Sequence, residues 1–529
     1  MNAFARLLDA LLFSPRRNVK LAHLVEWMRT TPDPDRGYGL AALTSDLSFP
    51  SVKAGVVREL AGQVTDPDLF ALSYDFVGDL AETVALLWPD CKDTHSSEQP
   101  SLSQIVTTLS AIKRDQAAEQ LAVWMNGMQV SERWAVLKLA TGGMRVGVSA
   151  RLVRVALAQA YDRDVGEIEE IWPLLEPPYT ELFDWLDGRA EKPDAAGRAV
   201  FHPVMLASPI DEKTLAALHL ADWQIEWKWD GARIQLVSAH EGVKLFSRSG
   251  DDISSAFPEL TRPMNWKGVL DGEILAGRPD AIDSFNALQQ RLNRKTASQK
   301  LQAASPVFLR FYDILAAGEE DLRHTILADR RSRLETEYQN IDHELCDLSA
   351  PLKVSDQAEL SDFRENCRQG GLIEGVMIKA KDSLYRAGRE KGLWFKWKRD
   401  PLYADLVIMY AQRGHGKRSS FYSDYTLGAW MGPSDDLVLV PVCKAYSGFT
   451  DAELSKLDKF VREHTTNKFG PVREVEQKIV VEIAFDSLHL SGRHKSGIAT
   501  RFPRFHAIRW DKLVDEADHI DQLKQLIDL

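Results

Sequence analysis

The chain has 529 residues, 44% hydrophobic and 27% charged, with a formal net charge of -12; it is too long for one core and too apolar for a disordered chain. No apolar run is long enough to span a bilayer, and the order of charge around Leu7–Phe13, with Arg16 and Arg17 behind it, is wrong for a secretory leader. Cys91, Cys346, Cys367 and Cys443 lie too far apart for a zinc knuckle and are too few for a disulfide framework, so a cytoplasmic protein is expected.

The acidic balance does not exclude phosphate binding, which needs cations only where a phosphate lies. Along the chain, residues 1 to about 190 read as helical: 102–112, 119–128 and 149–161 place apolar residues at helical spacing. A polar stretch at 90–101 reads as a loop and 187–200 as a linker. Short strands then alternate with helices to about residue 400, and strands dominate beyond Pro401, at 405–411, 437–443 and 478–485. A helix over 518–529 closes the chain. Three domains are expected: an all-α domain over 1–190, an α/β domain over 201–400 and a small β-barrel over 401–529.

The segment Glu226-Trp227-Lys228-Trp229-Asp230-Gly231-Ala232-Arg233 is the most informative. Alternation on both sides of Asp230-Gly231 predicts a hairpin-like pair of strands, with Lys228 at the end of the first. Glu226 and Lys228 then share a face and Trp227 takes the other. A lysine held by rigid strands can be a nucleophile if its amine is freed of its proton. By itself the match is weak. It is followed, in order, by Ser247-Arg248-Ser249-Gly250, Leu270-Asp271-Gly272-Glu273-Ile274, Phe311-Tyr312-Asp313-Ile314-Leu315, Glu374-Gly375-Val376-Met377-Ile378-Lys379 and Trp394-Phe395-Lys396-Trp397-Lys398. Lys396 and Lys398 alternate with aromatic residues and point the same way.

This ordered set resembles motifs I, Ia, III, IIIa, IV and V of the covalent nucleotidyltransferases, the superfamily of ATP-dependent ligases and mRNA capping enzymes. The resemblance implies that the middle domain is an adenylation domain of ATP-grasp-like antiparallel sheets, using ATP with Mg²⁺ or Mn²⁺. It implies Lys228 as the residue that carries AMP, Glu226 as the reader of the adenine amino group and Tyr312 as the ring stacked on adenine, where the family usually has Phe. Arg233 and Arg248 resemble groups that grip the ribose and a 5′-phosphate. Glu273 is implied at the ribose and, with Glu374, at the metal; Lys396 and Lys398 at the phosphates, where they can also depress the pKa of Lys228.

The flanking segments narrow the family. Gly414 to Arg418, with Lys417 and Arg418, Lys444 to Thr450, and Arg501-Phe502-Pro503-Arg504-Phe505 followed by Arg509-Trp510-Asp511-Lys512 resemble the OB-fold domain and motif VI of DNA ligases. Arg493, Lys495, Arg501, Arg504, Arg509 and Lys512 stand there against the single acid Asp511, a local cation cluster interleaved with Phe502, Phe505 and Trp510. Before the lysine, Thr141 to Val148, with Arg145 among its glycines, resembles the helical DNA-binding domain of larger, bacterial-type DNA ligases. The expectation is a monomeric enzyme that seals nicks in duplex DNA, serving repair, replication or recombination. Its alternatives are an RNA ligase, a capping-type guanylyltransferase and a non-catalytic DNA-binding scaffold.

Overall fold

The computed structural model describes the chain except residues 90–98, 194–197, 293, 295, 342–343, 368–371, 415–420, 434–435, 493 and 528–529. Lys417, Arg418, Arg493 and Cys91 therefore lie outside the described residues, as does most of the loop expected at 90–101. The chain divides into two compact units. Met1–Ile168, Leu175–Pro193 and Leu402–Ile527 belong to one; Glu169–Leu174 and Asp194–Pro401 make up the bulk of the other.

In the first unit the N-terminal region is helical. The three expected helices occur at Leu102–Ala111, Arg114–Asn126 and Ala150–Tyr161. Three helices frame the loop that carries Arg145: α1 (Arg17–Thr30), α2 (Val130–Thr141) and α3 (Ala150–Tyr161). The Ser149 hydroxyl accepts the Leu152 amide at 3.2 Å, satisfying a first-turn donor of α3. Leu152, Val153, Ala156, Leu157 and Ala160 form one buried stripe; each Leu or Val so buried contributes roughly 1.5–3 kcal/mol. The helix ends at Asp162, whose φ of 52° stops propagation. Arg29 of α1 donates to the Ala160 carbonyl at 3.1 Å.

The second unit is built on seven principal strands: β1 (Trp223–Trp229), β2 (Ala232–Ala239), β3 (Gly242–Ser247), β4 (Gly268–Arg278), β5 (Val307–Ala317), β6 (Ile373–Ala380) and β7 (Trp394–Lys398). One sheet runs β7-β6-β1, antiparallel throughout, with Ser208–Pro209 added in parallel at its edge. The other runs β3-β2-β4-β5, also antiparallel. Ile234, Leu236, Leu270, Ile274 and Phe311 core the second sheet, while Ile225, Val376, Ile378 and Phe395 line the outer side of the first.

Here the expected hairpin is corrected. β1 pairs with β6 and β2 with β3 and β4, so the strands flanking Asp230-Gly231 lie in different sheets. The corner is tight: a Cβ on Gly231 would stand 2.5 Å from the Ile274 carbonyl oxygen and 2.6 Å from Glu273 Cγ. The Asp230 amide is spent on the Leu372 carbonyl at 2.8 Å rather than on a hairpin turn. Alternation alone identifies two strands but not their partners: β1 pairs with the distant β6, while β2 pairs with the next strand, β3, and with β4.

The principal C-terminal strands are β8 (Leu402–Arg413), β9 (Tyr422–Met431), β10 (Val438–Ala445), β11 (Val480–Phe485) and β12 (Arg504–Arg509), with helix α4 (Asp451–Glu463) between β10 and β11. Thr450 and Glu453 cap α4 reciprocally. The pairing order β10-β9-β8-β11-β12 curls around Leu406, Tyr425, Leu427, Leu457, Ile483 and Phe505. Among the described residues no ladder joins β10 to β12, so the sheet is curled rather than closed. The closing helix is shorter than expected, Ile520–Lys524. Asp518 is spent on the sheet instead: it receives the Trp430 amide at 3.0 Å, and its carboxylate accepts the Asp405 amide at 2.8 Å.

Candidate active site

Cross-strand register puts Glu226 beside Met377 and Lys228 beside Gly375; Met377 stands beside Lys396 and Gly375 beside Lys398. With alternation, one face of the first sheet therefore carries Glu226, Lys228, Met377, Lys396 and Lys398. Trp227 and Trp397 occupy the opposite face, Trp227 edge-on to Phe363 at 5.5 Å and Trp397 under the Arg364 guanidinium at 4.8 Å. The sharing of a face read from the sequence holds.

Glu374 reaches this face by a device that alternation does not predict. Strict parity would send it to the side opposite Gly375, yet Lys228 Nζ donates to Glu374 Oε2 and Lys398 Nζ lies 3.2 Å from the same oxygen. The register slips between Ile373 and Gly375, a bulge that re-aims the side chain. Gly375 makes it possible: its φ is 144°, and a Cβ there would stand 2.2 Å from the Trp397 carbonyl oxygen.

The second sheet supplies the remaining groups. Arg233 and Glu273 are register partners on β2 and β4. Burial pushes the Glu273 carboxyl up to about 8; Lys228 and Arg233 oppose that rise, and Glu374 and Asp271 add to it. Lys396 is lowered, first by desolvation and then by the charges of Lys228, Lys398, Arg389 and Arg248. Arg248 itself is exposed, just beyond β3. The Tyr312 hydroxyl donates to the Gly272 carbonyl at 3.2 Å, and the Arg233 guanidinium lies 5.9 Å from the Tyr312 ring centre. Arg233 is already well engaged: Asp271 accepts from it at 3.0 and 2.6 Å, the Met205 carbonyl at 2.6 Å and Tyr385 at 3.1 Å. The structure thus brings together Glu226, Lys228, Arg233, Glu273, Tyr312, Glu374, Lys396 and Lys398, with Arg248 within electrostatic reach. Sequence reasoning missed Asp271, Tyr385 and Arg389. Asp271 sits inside a quoted motif, where its complete burial has no one-dimensional signal.

The other expected contacts belong to the first unit. Arg145 is exposed at φ 50°, within a run that also holds Gly142, Gly143 and Gly147 at positive φ. Buried Met144 and Val146 anchor that run, and Lys20 of α1 donates to the carbonyls of Val146 and Gly147 at 2.5 and 3.1 Å. Arg504 bonds Asp486 at 2.9 Å, and Arg501 stacks over exposed Phe502 at 5.2 Å. Arg509 bonds Asp511 at 3.0 and 2.7 Å, and Lys512 bonds Asp405 at 2.5 Å. Asp405, distant in sequence, also lies 3.3 Å from Arg509, so the cluster is less bare than its local composition suggests.

Residues 204–398 match the family model described as ATP dependent DNA ligase domain, and 418–512 match ATP dependent DNA ligase C terminal region. The chain is 30% identical to a probable DNA ligase of Koribacter versatilis, an alignment covering 99% of this chain and 96% of that protein. It is 31% identical to DNA ligase 1 of Korarchaeum cryptofilum, over 75% of this chain and 72% of that protein. In three dimensions it is similar to the solved structure described as Pmar-Lig_Pre., with a TM-score of 0.61 and 17% identity over 96% of this chain and 99% of that one.

Proposed function

The chain belongs to the ATP-dependent DNA ligases, and we propose that Lys228 is the residue through which it transfers AMP to a nick. The single observation that carries this reading is the convergence of Lys228, Glu374, Lys396 and Lys398 on one sheet face.

The Lys228 amine attacks the α-phosphate of ATP once its proton has passed to Glu374 Oε2, to which it is already hydrogen-bonded. A nitrogen–phosphorus bond forms, the bond to the β-phosphate oxygen breaks and pyrophosphate leaves. Lys396 and Lys398 neutralise charge on the phosphates. Glu226 accepts the adenine amino group, Tyr312 stacks on the base, and Arg233 and Glu273 hold the ribose. A 5′-phosphate oxygen at the nick, held by Arg248, then takes AMP from Lys228. Finally the 3′-hydroxyl attacks that activated phosphate, and AMP leaves.

Glu273 and Glu374 fit a divalent cation. Burial, with the charges of Glu374 and Asp271 beside it, raises the Glu273 carboxyl, a rise that a cation there would oppose. Among the described residues no group of three or more His, Cys, Asp or Glu forms a metal cluster, which suits an ion that keeps waters and phosphate oxygens as its other ligands. Mg²⁺, or Mn²⁺ in its place, would offset charge on the triphosphate. We assign 1–190 to DNA binding, 201–400 to adenylation and 401–529 to an OB-type domain, the last supported by the five-strand order with α4 inserted after β10. Arg145, Arg501 and Arg504 then meet DNA phosphates, and Arg509 and Lys512 the leaving group; Lys417 and Arg418 are assigned to DNA from sequence alone. The chain acts as a monomer on nicked duplex DNA.

Incubating the protein with labelled ATP tests the assignment of Lys228. Lys228→Ala abolishes the AMP adduct and leaves duplex binding measurable; an adduct retained in that variant refutes the assignment.

A further inference from the structure

Near the end of β6, Lys379 is 1% exposed, a rare place for an ammonium. It stands beside Gln224 of β1 and Trp394 of β7, on the face that carries Glu226 and Lys228. Its Nζ is 2.9 Å from Glu226 Oε2 and lies 4.5 and 4.7 Å from the ring centres of Tyr312 and Trp394. Gln224 donates to the other oxygen, Glu226 Oε1. The Glu226 carboxylate, itself 1% exposed, is thus gripped on both oxygens, each keeping a lone pair for a further donor.

We propose that Lys379 is a specificity-determining positioning residue: its ring-enclosed ammonium fixes Glu226 as a pure acceptor, so that the base pocket takes a purine with an exocyclic amine and refuses one with an oxo group there. The inference rests on the reading of Glu226 as the group that meets the base. A buried carboxylate that loses its cation is uncompensated, and it relaxes by rotating or by taking a proton. A protonated carboxyl both donates and accepts, so it bonds an oxo group as readily as an amine. Tyr312 and Trp394 stabilise the ammonium through their ring faces while offering it no competing acceptor. Enclosed in this way, Lys379 has Glu226 as its nearest acceptor among these neighbours.

The test measures adenylyl transfer to Lys228 in the full chain with three triphosphates: ATP, inosine triphosphate (6-oxo) and purine riboside triphosphate (no 6-substituent). Lys379→Met lowers kcat/KM for ATP by about 10–100-fold, mainly through KM, and raises inosine triphosphate relative to ATP. With purine riboside triphosphate it changes kcat/KM by less than about threefold, whereas a general loss of structure lowers all three alike. Lys379→Arg, which keeps the charge, restores part of the ATP preference. Glu226→Gln separates the two readings. If it leaves the ATP-to-inosine ratio at the wild-type value, the base-reading role of Glu226 fails. If it changes that ratio and Lys379→Met does not, the role given to Lys379 is overturned and the reading of Glu226 stands. Should Lys379→Met not fold, Glu226→Gln/Lys379→Met removes the unpaired charge. Its ratio equals that of Glu226→Gln alone if Lys379 acts through Glu226, and a further change in the ratio contradicts the proposal.

Discussion

Lys228 shares its acceptor, Glu374 Oε2, with Lys398 at 3.2 Å, so the carboxylate organises both the proposed nucleophile and a lysine proposed to face the phosphates. Glu374→Gln keeps the size and removes the charge; single-turnover AMP transfer is expected to slow by about 10²–10³-fold, with a near-wild-type melting temperature. An unchanged rate removes Glu374 from the mechanism. A second residue governs stability rather than chemistry. Burial lowers His202 from its ordinary value to about 4, Arg323 adds to that, and Asp321 and Glu170 oppose it. The fold prefers the neutral ring, so its contribution is whole above pH 6.5 and is lost as pH falls from 6.5 toward 4. The slope is at most ~1.4 kcal/mol per pH unit. Melting curves between pH 7 and about pH 5 check this: wild type loses stability faster than His202→Gln, and parallel losses contradict it.

Glu374 faces Lys228 only because β6 carries a bulge, and the bulge depends on Gly375. Gly375→Ala forces a Cβ against the Trp397 carbonyl and a side chain onto a φ of 144°, costing roughly 1–3 kcal/mol. The variant is expected to melt lower and to form the AMP adduct more slowly, while Gly55→Ala, at an open helical position, does neither. The same strand marks the limit of what the sequence alone conveys. Alternation correctly put Glu226 with Lys228 and Lys396 with Lys398, because those pairs lie within single uninterrupted strands. It could not reveal that β1 and β2 enter different sheets, nor that Glu374 departs from parity, since both turn on the pairing of β1 with β6, distant in sequence. Lys379 was legible as a letter of its motif but not as a neighbour of Glu226, Tyr312 and Trp394, which four separate strands bring together.

For the whole molecule, a net charge of -12 coexists with nicked duplex as substrate because binding is settled by cations where phosphates lie. The affinity for a nicked duplex should therefore fall steeply with salt. Arg145→Ala and Arg504→Ala are each expected to reduce the slope of log K against log salt by about 0.9, read from titrations at several salt concentrations; unchanged slopes take those residues off the DNA. Family membership rests on similarity along nearly the whole chain, and the substrate follows from it more securely than from the lysine motif, which capping enzymes share. The central claim is that AMP reaches a nick by way of Lys228. Its most direct test isolates the adenylated protein free of ATP, maps the adduct by mass, and then adds a duplex with a single nick. The account predicts AMP on Lys228, its loss on adding DNA, and one nick sealed per adenylate consumed. An adduct mapped to another residue, or one on Lys228 that persists while nicks are sealed, contradicts it.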